Sequence, residues 1–250
     1  MKVAVVYKSK DILRNVVEYL KNKGIDFKTF EKPCNELEDF DFIISIGGDG
    51  TILRILQEVK KCPPIFGINI GRIGLLTHSN PNNFKERLDF AVKNFEVEEF
   101  MRLSCKIKNS ELLALNEIAI FNTEVAKLIT VDVEVDGIKI DKIRCDGLIV
   151  STQIGSTGYA FSSGGPIIDP YLESILITPV APFRFGWKPW VFRSDRVVGV
   201  NADKDVYVIA DGQKKLKTNE KIIIRKSKYP ALFFKKNRID ELSKKVKLIE

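Results

Sequence analysis
Histidine is nearly missing from this chain: of 250 residues, His78 is the single one. A Ser-His-Asp engine would have to use it, and no G-x-S-x-G elbow accompanies it. Cysteine is scarce as well. Cys34, Cys62, Cys105 and Cys145 stand far apart with no C-x-x-C pair, so neither a disulfide framework nor a zinc site is indicated. Three of them are expected beside the core as small hydrophobes. Nothing approaches the run of about eighteen apolar residues that a membrane-spanning helix needs. The opening Met1-Lys2-Val3-Ala4-Val5-Val6-Tyr7 reads as a short buried strand and not as a signal peptide. A cytoplasmic compartment with no membrane partner is therefore expected. The G-x-x-x-x-G-K-[ST] phosphate loop and the G-x-G-x-x-G dinucleotide fingerprint are absent too.

What is present is ordinary for a soluble globular protein: 44% hydrophobic and 29% charged residues. The length allows one large domain or two smaller ones. The net charge of +7 is uneven. Residues 1–100 hold 15 basic and 15 acidic side chains, leaving 25 and 18 for the rest. Much of the excess lies between Lys214 and Lys247, where lysines alternate with apolar stretches such as Ile222-Ile223-Ile224. A solvated sheet face explains that pattern better than a nucleic-acid surface, since no nucleic-acid-binding motif accompanies it. No nucleic-acid partner is expected.

Hydrophobic periodicity divides the chain in two. Strand-like runs at 3–7, 26–30, 40–46 and 65–69 alternate with helical patterns at 11–23, after 47–50, and at 83–94. That alternation predicts an α/β N-terminal domain with a doubly wound parallel sheet. Beyond residue 100 the pattern becomes strands at short intervals: 112–121, 128–135, 138–143, 147–153, 174–180, 197–201, 206–210 and 221–225. Asp136-Gly137 reads as a hairpin turn and Asp211-Gly212 as another corner. An all-β C-terminal domain is expected there. The boundaries read as 1–100, 101–230, and a tail 231–250 with a short helix over 240–247.

Four groups of residues fall outside ordinary core or turn composition. The first is Gly47-Gly48-Asp49-Gly50-Thr51 with Arg54, where a β-branched strand ends in a glycine turn and a helix begins. Glycines admit close approach of backbone N–H groups to an anion, and the helix N-terminus adds partial positive charge. Asp49 in such a cradle either caps the helix or handles a metal or a proton. Arg54, one turn beyond Gly50, either bears on the anion or is a solvated helix arginine. The second group is Asn116-Glu117 inside the apolar run 112–120. Two polar residues there need partners, either each other or a polar ligand. The third runs from Arg144-Cys145-Asp146-Gly147 into Gly155-Ser156-Thr157-Gly158-Tyr159-Ala160-Phe161-Ser162, with Gly164-Gly165-Pro166 behind it. Hydroxyls, glycines and one aromatic suit a nucleotide better than they suit a core. The fourth, Asp211-Gly212-Gln213, reads on its own as a hairpin corner.

Together these residues resemble the NAD kinase family, whose members phosphorylate NAD to NADP. Gly47-Gly48-Asp49-Gly50-Thr51 alone is similar to a wider superfamily that includes diacylglycerol kinases and phosphofructokinases. Gly67-Ile68-Asn69 with Gly71-Arg72-Ile73-Gly74-Leu75-Leu76-Thr77, then Asn116-Glu117, Asp146-Gly147 and 155–166, complete the resemblance in order. It implies a site between two domains, ATP or another phosphate donor, NAD as acceptor, Mg²⁺ or another divalent ion, and a homodimer or homotetramer. By the same resemblance Asp49 is the acid/base residue at the adenosine ribose 2′-hydroxyl. Gly47, Gly48 and Gly50 bind phosphate, with Gly50 and Arg54 beside the dinucleotide. Asn116 and Glu117 hold ribose hydroxyls. Arg144 and Asp146 meet the nicotinamide half, across a subunit interface. Thr157, Gly158, Tyr159, Ala160, Phe161 and Ser162 read the adenine side, and Gln213 closes the site. Phe183, where many members carry histidine, and Lys188-Pro189, where Arg-Pro is usual, are departures. No fused phosphatase domain is expected.

Two other functions compete. A lipid kinase of the same superfamily would show an apolar groove or a membrane-facing amphipathic helix, and neither is evident. A non-catalytic NADP-binding sensor would have lost the acidic residue of the glycine turn, and Asp49 is there.

Overall fold
Strands with both faces covered are built from unbroken apolar runs, and the first part of the chain follows that rule. In the computed structural model, which describes residues 1–71, 74–184 and 186–247, it forms β1 (Lys2–Tyr7), α1 (Lys10–Asn22), β2 (Asp26–Phe30), β3 (Phe42–Gly47), α2 (Asp49–Glu58), β4 (Ile65–Asn69), α3 (Phe84–Asn94) and β5 (Val97–Phe100). β1 pairs in parallel with both β2 and β3, and β3 with β4. Val3, Val5, Phe42, Ile44, Ile46, Phe66 and Ile68 make one face. Val16 and Leu20 of α1 and Phe84 and Leu88 of α3 pack on it. α2 lies on the opposite face, where Ile52 Cδ1 comes within 3.1 Å of the point a Cβ on Gly67 would occupy. Helices on both faces of a parallel sheet make the doubly wound arrangement expected from the sequence. Arg72 and Ile73, part of the glycine-spaced stretch after β4, lie outside the described residues.

The next part is antiparallel throughout. It comprises β6 (Leu103–Ile107), β7 (Ser110–Ala114), β8 (Glu117–Asn122), β9 (Ile129–Val135), β10 (Ile138–Cys145), β11 (Gly147–Thr152), the one-turn α4 (Tyr159–Ser162), β12 (Ser174–Val180), β13 (Trp190–Arg193), β14 (Val198–Ala202), β15 (Val206–Ala210), β16 (Lys214–Thr218) and β17 (Ile222–Lys226). One sheet runs β10-β9-β14-β17-β6-β7 and the other β13-β12-β11-β8-β15-β16. Alternate residues of both, among them Leu103, Ile118, Val131, Leu148, Val200, Val208 and Ile224, form a single core. Ala119, Ile149 and Leu176, which alternate with core residues of the second sheet, are buried instead against Ala160 and Ile168. The glycine- and hydroxyl-rich stretch thus covers the second sheet's outer face. At Asp136-Gly137 both residues have positive φ, 51° and 78°, as a two-residue hairpin turn requires.

Two expectations need correction. The run 112–121, read as one strand, is two: β7 and β8 belong to different sheets, and the chain turns at Leu115-Asn116. The stretch 231–250, set apart as a tail, belongs with the parallel sheet. There β18 (Ala231–Phe234) pairs in parallel with β4, and α5 (Arg238–Lys247) follows it. The completed sheet runs β2-β1-β3-β4-β18-β5. The chain accordingly forms two compact units, Met1–Glu99 with Tyr229–Glu250, and Phe100–Lys228. Phe233 and Phe234 are buried, with Phe234 edge-on to Phe42 and Phe66. A four-residue apolar stretch close to lysines on both sides gives no sign of a parallel partner more than 160 residues earlier in the chain.

Candidate active site
In the first unit the glycine turn sits at the carboxyl end of β3. β1 has β2 on one side and β3 on the other, so the strand order reverses there, and ligands of open α/β sheets bind beyond such carboxyl ends. A Cβ on Gly47 would fall 2.1 Å from Thr51 Oγ1, so only glycine lets the first turn of α2 close down on the strand. Gly48 is the residue before the helix and makes no side-chain cap. Asp49 is therefore the first helical residue and not the N-cap its position suggested. Its carboxylate accepts hydrogen bonds from two successive backbone N–H groups, Leu75 to Oδ2 at 2.9 Å and Leu76 to Oδ1 at 3.0 Å. That grip fixes the plane of the carboxylate. Gly50 and Arg54 are exposed on α2. Asn69, at the end of β4, pairs in register with Gly47 and accepts from the Gly71 N–H at 2.9 Å.

In the second unit Asn116 and Glu117 occupy the corner between β7 and β8. Asp211, 4% exposed, holds that corner. Its carboxylate accepts from the Leu115, Asn116 and Glu117 N–H groups at 2.8, 2.7 and 3.2 Å. Thr152 closes the other side, its hydroxyl donating to the Leu115 carbonyl at 2.6 Å and its N–H to the Asn116 carbonyl at 2.9 Å. Gly155 presses on the same peptide: a Cβ there would meet the Asn116 carbonyl oxygen at 2.1 Å. Two polar residues in an apolar run are thus explained by a turn that presents them. Asp211 itself was read as a mere corner, and the Asp-Gly pair does form one, with φ of 50° and 65°. Nothing in that dipeptide signals a carboxylate turned inward.

Gly158 lies at this corner, while Asp146 precedes Gly147 at the other end of β11, where Gly147 pairs with Phe121. Glu117 Oε2 lies 3.7 Å from the point where a Cβ on Gly158 would sit. The Tyr159 ring stacks on Phe121 at 5.8 Å and 9°, with 43% of the residue still exposed. Partial burial, then the carboxylates of Glu117 and Asp146, raise its phenol above the usual tyrosine value, so it stays a protonated donor. Thr157 and Ala160 are buried, Phe161 is half-buried and Ser162 exposed, so of the 157–162 stretch the first and fourth residues pack inward. Gln213 is exposed, and its side-chain amide donates to the Asp211 carbonyl at 3.3 Å. Arg144 is paired differently: its guanidinium lies 5.3 Å from the ring of Phe183, whose N–H donates to the Arg144 carbonyl at 2.8 Å. Phe183, which replaces a histidine in the resemblance, is 73% exposed.

Other groups take no part. His78 is buried, and burial pushes the Cys105 and Cys145 thiols up to about 12, which makes them inert. Among the described residues no helix is long and apolar enough to cross a membrane.

Comparison with known proteins finds matches to both halves of the chain. The chain is 55% identical over 238 residues, 95% of each sequence, to an NAD kinase of Archaeoglobus fulgidus. It is 36% identical over 230 residues to an NAD kinase of Methanosarcina acetivorans, covering 89% of this chain and 78% of that one. A crystal structure of an NAD kinase from Archaeoglobus fulgidus in complex with ATP superposes with a TM-score of 0.96, at 54% identity over the whole of both chains. The ATP-NAD kinase N-terminal domain matches residues 5–94, which hold the glycine turn and Asp49. The ATP-NAD kinase C-terminal domain matches 115–236, beginning at the corner that presents Asn116 and Glu117. On both counts the chain belongs to the ATP-NAD kinase family.

Proposed function
We propose that the protein transfers a phosphoryl group from ATP to the 2′-hydroxyl of the adenosine ribose of NAD, giving NADP. The observation that carries this reading is the whole-chain likeness to a relative whose crystal structure holds ATP. The chemistry asks for positioning and charge neutralisation more than for covalent help. The glycine turn and the α2 N-terminus offer backbone N–H groups and partial positive charge to donor phosphates, with Gly47, Gly48 and Gly50 nearest and Arg54 one turn on.

Asp49 has the role of orienting the ribose hydroxyl and accepting its proton as the new P–O bond forms, a contribution of roughly 10²–10⁴ in rate. Its hold on two backbone N–H groups suits that task, since a base must be still before it can aim. Asn116 and Glu117 take ribose hydroxyls. Thr157, Gly158, Tyr159, Ala160, Phe161 and Ser162 face the adenine side, Arg144 and Asp146 the nicotinamide half, and Gln213 closes over the dinucleotide. A divalent ion, if the donor carries one, would supply neutralisation of its phosphates. Among the described residues no three His, Cys, Asp or Glu side chains form a metal-binding group. The family resemblance also carries the expectation of a homodimer or homotetramer, and the composition and N-terminus carry that of a cytoplasmic compartment.

The test is NADP formation from NAD, ATP and Mg²⁺, read by an NADP-specific coupled dehydrogenase, beside Asp49→Asn. Wild type should produce NADP, and the variant about a hundredfold less. NADP binding without NADP formation from any phosphate donor would replace the kinase with a sensor.

A further inference from the structure
Arg238 opens α5 and is 1% exposed, although its charge is permanent. Its Nε donates to Glu98 Oε1 at 2.6 Å, and its Nη1 donates to the Leu75 carbonyl at 2.8 Å. Nη2 lies 3.5 Å from the Phe234 carbonyl and 3.2 Å from His78 Nε2, and the Phe233 ring lies 5.4 Å from the guanidinium carbon. A buried ion pair is weak evidence for stability, because apolar side chains of similar volume often serve as well. What sets this one apart is the peptide group that Nη1 holds.

The Leu75 carbonyl and the Leu76 N–H are two ends of one peptide. The guanidinium holds its oxygen, and its N–H donates to Asp49 Oδ1 at 3.0 Å. A cation at the oxygen and a carboxylate at the hydrogen polarise that peptide in the same sense, so each bond strengthens the other. Lys236 works alongside, donating from Nζ to the Thr77 carbonyl at 2.9 Å and pairing with Glu241 at 3.1 Å. Two cations near the C-terminus therefore hold carbonyls 75 and 77, while Asp49 holds N–H groups 75 and 76.

We propose that Arg238 is a positioning residue for Asp49, acting through the Leu75–Leu76 peptide to keep the carboxylate in the orientation that phosphoryl transfer uses. Its kinetic consequence rests on the kinase reading, whereas the structural link is measurable without it. The experiment takes the full-length chain with Arg238→Met and makes two measurements. One is kcat and KM for NAD in NADP formation. The other is amide hydrogen exchange at Leu75 and Leu76, set against the amides of β1 and β3.

The expected result is a kcat lower by about tenfold to a hundredfold, KM for NAD within about threefold, and faster exchange confined to 75 and 76. Arg238→Lys should recover part of kcat, since an ammonium keeps the charge and loses the fork. Unchanged kcat with unchanged exchange overturns the proposal. So does a rise in KM alone, and so does exchange accelerated equally in β1 and β3, the sign of a purely structural ion pair. If Arg238→Met does not fold, Arg238→Lys is read in the same two ways, with local acceleration supporting the link and its absence overturning it. A wild-type chain that makes no NADP removes the kinase reading and leaves exchange to decide the link.

Discussion

His78 shows why a lone histidine in a kinase-like sequence need not touch substrate. Its Nδ1 accepts from the Gly67 N–H at 2.9 Å, its Nε2 donates to the Phe234 carbonyl at 2.7 Å, and its ring stacks on Phe66 at 5.1 Å. Only the neutral imidazole can accept at one nitrogen and donate at the other. Burial, and after it the Arg238 charge, hold its pKa well below the ordinary 6.5. Above 6.5 the ring is neutral whether the chain is folded or not. Below it the unfolded chain takes up a proton that the folded chain refuses, so stability falls as pH falls. Melting temperatures should begin to drop just below pH 6.5, ahead of the carboxylate range. His78→Gln, which can still accept and donate but does not titrate there, should flatten that slope; equal slopes in both proteins would place the acid sensitivity elsewhere.

At the scale of elements, the break between β7 and β8 separates what the sequence discloses from what it hides. Asn116 and Glu117 were legible because two polar residues interrupt an apolar run, and the glycine turn at 47–50 because strand, turn and helix follow within a few residues. Both signals are local. The residues that hold these features are not: Asp211 reaches the corner from 94–96 residues away, and Arg238 reaches Leu75 from 163. An Asp-Gly turn looks the same from the sequence whether its carboxylate faces water or a buried backbone. That carboxylate predicts its own test. Asp211→Ala would take its carboxylate from three N–H groups, those of Leu115 and Glu117 buried and that of Asn116 part-buried, each worth about 1–3 kcal/mol when buried. The denaturant midpoint should fall by an amount equivalent to about 3 kcal/mol or more, with KM for NAD rising as Asn116 and Glu117 lose their register. A midpoint within about 0.5 kcal/mol of wild type would mean the corner holds itself.

For the whole molecule, the α/β and all-β halves were legible from hydrophobic period alone, since 3.6 gives way to 2 near residue 100. The return of the chain was not, because β18 is short and its pairing partner β4 lies far back in the sequence. A chain ending at Lys228 lacks Phe233, Phe234 and Arg238, all nearly or fully buried. Each phenylalanine contributes about 1.5–3 kcal/mol by burial, against a typical domain stability of about 5–15 kcal/mol. Limited proteolysis of that shortened chain should cut within 1–99 and spare 100–228. Protection of both segments would show that four parallel strands suffice.

The same return of the chain sets an order of events during synthesis. A ribosome delivers residues from the N-terminus onward, and domains generally fold as units as they emerge. Here the unit whose first strand is made earliest is the last to be completed. Phe100–Lys228 is whole before Tyr229–Glu250 exists. A nascent chain stalled before residue 231 would therefore carry a finished sandwich behind an unfinished sheet, with the edge of β4 open to chaperones until β18 is made.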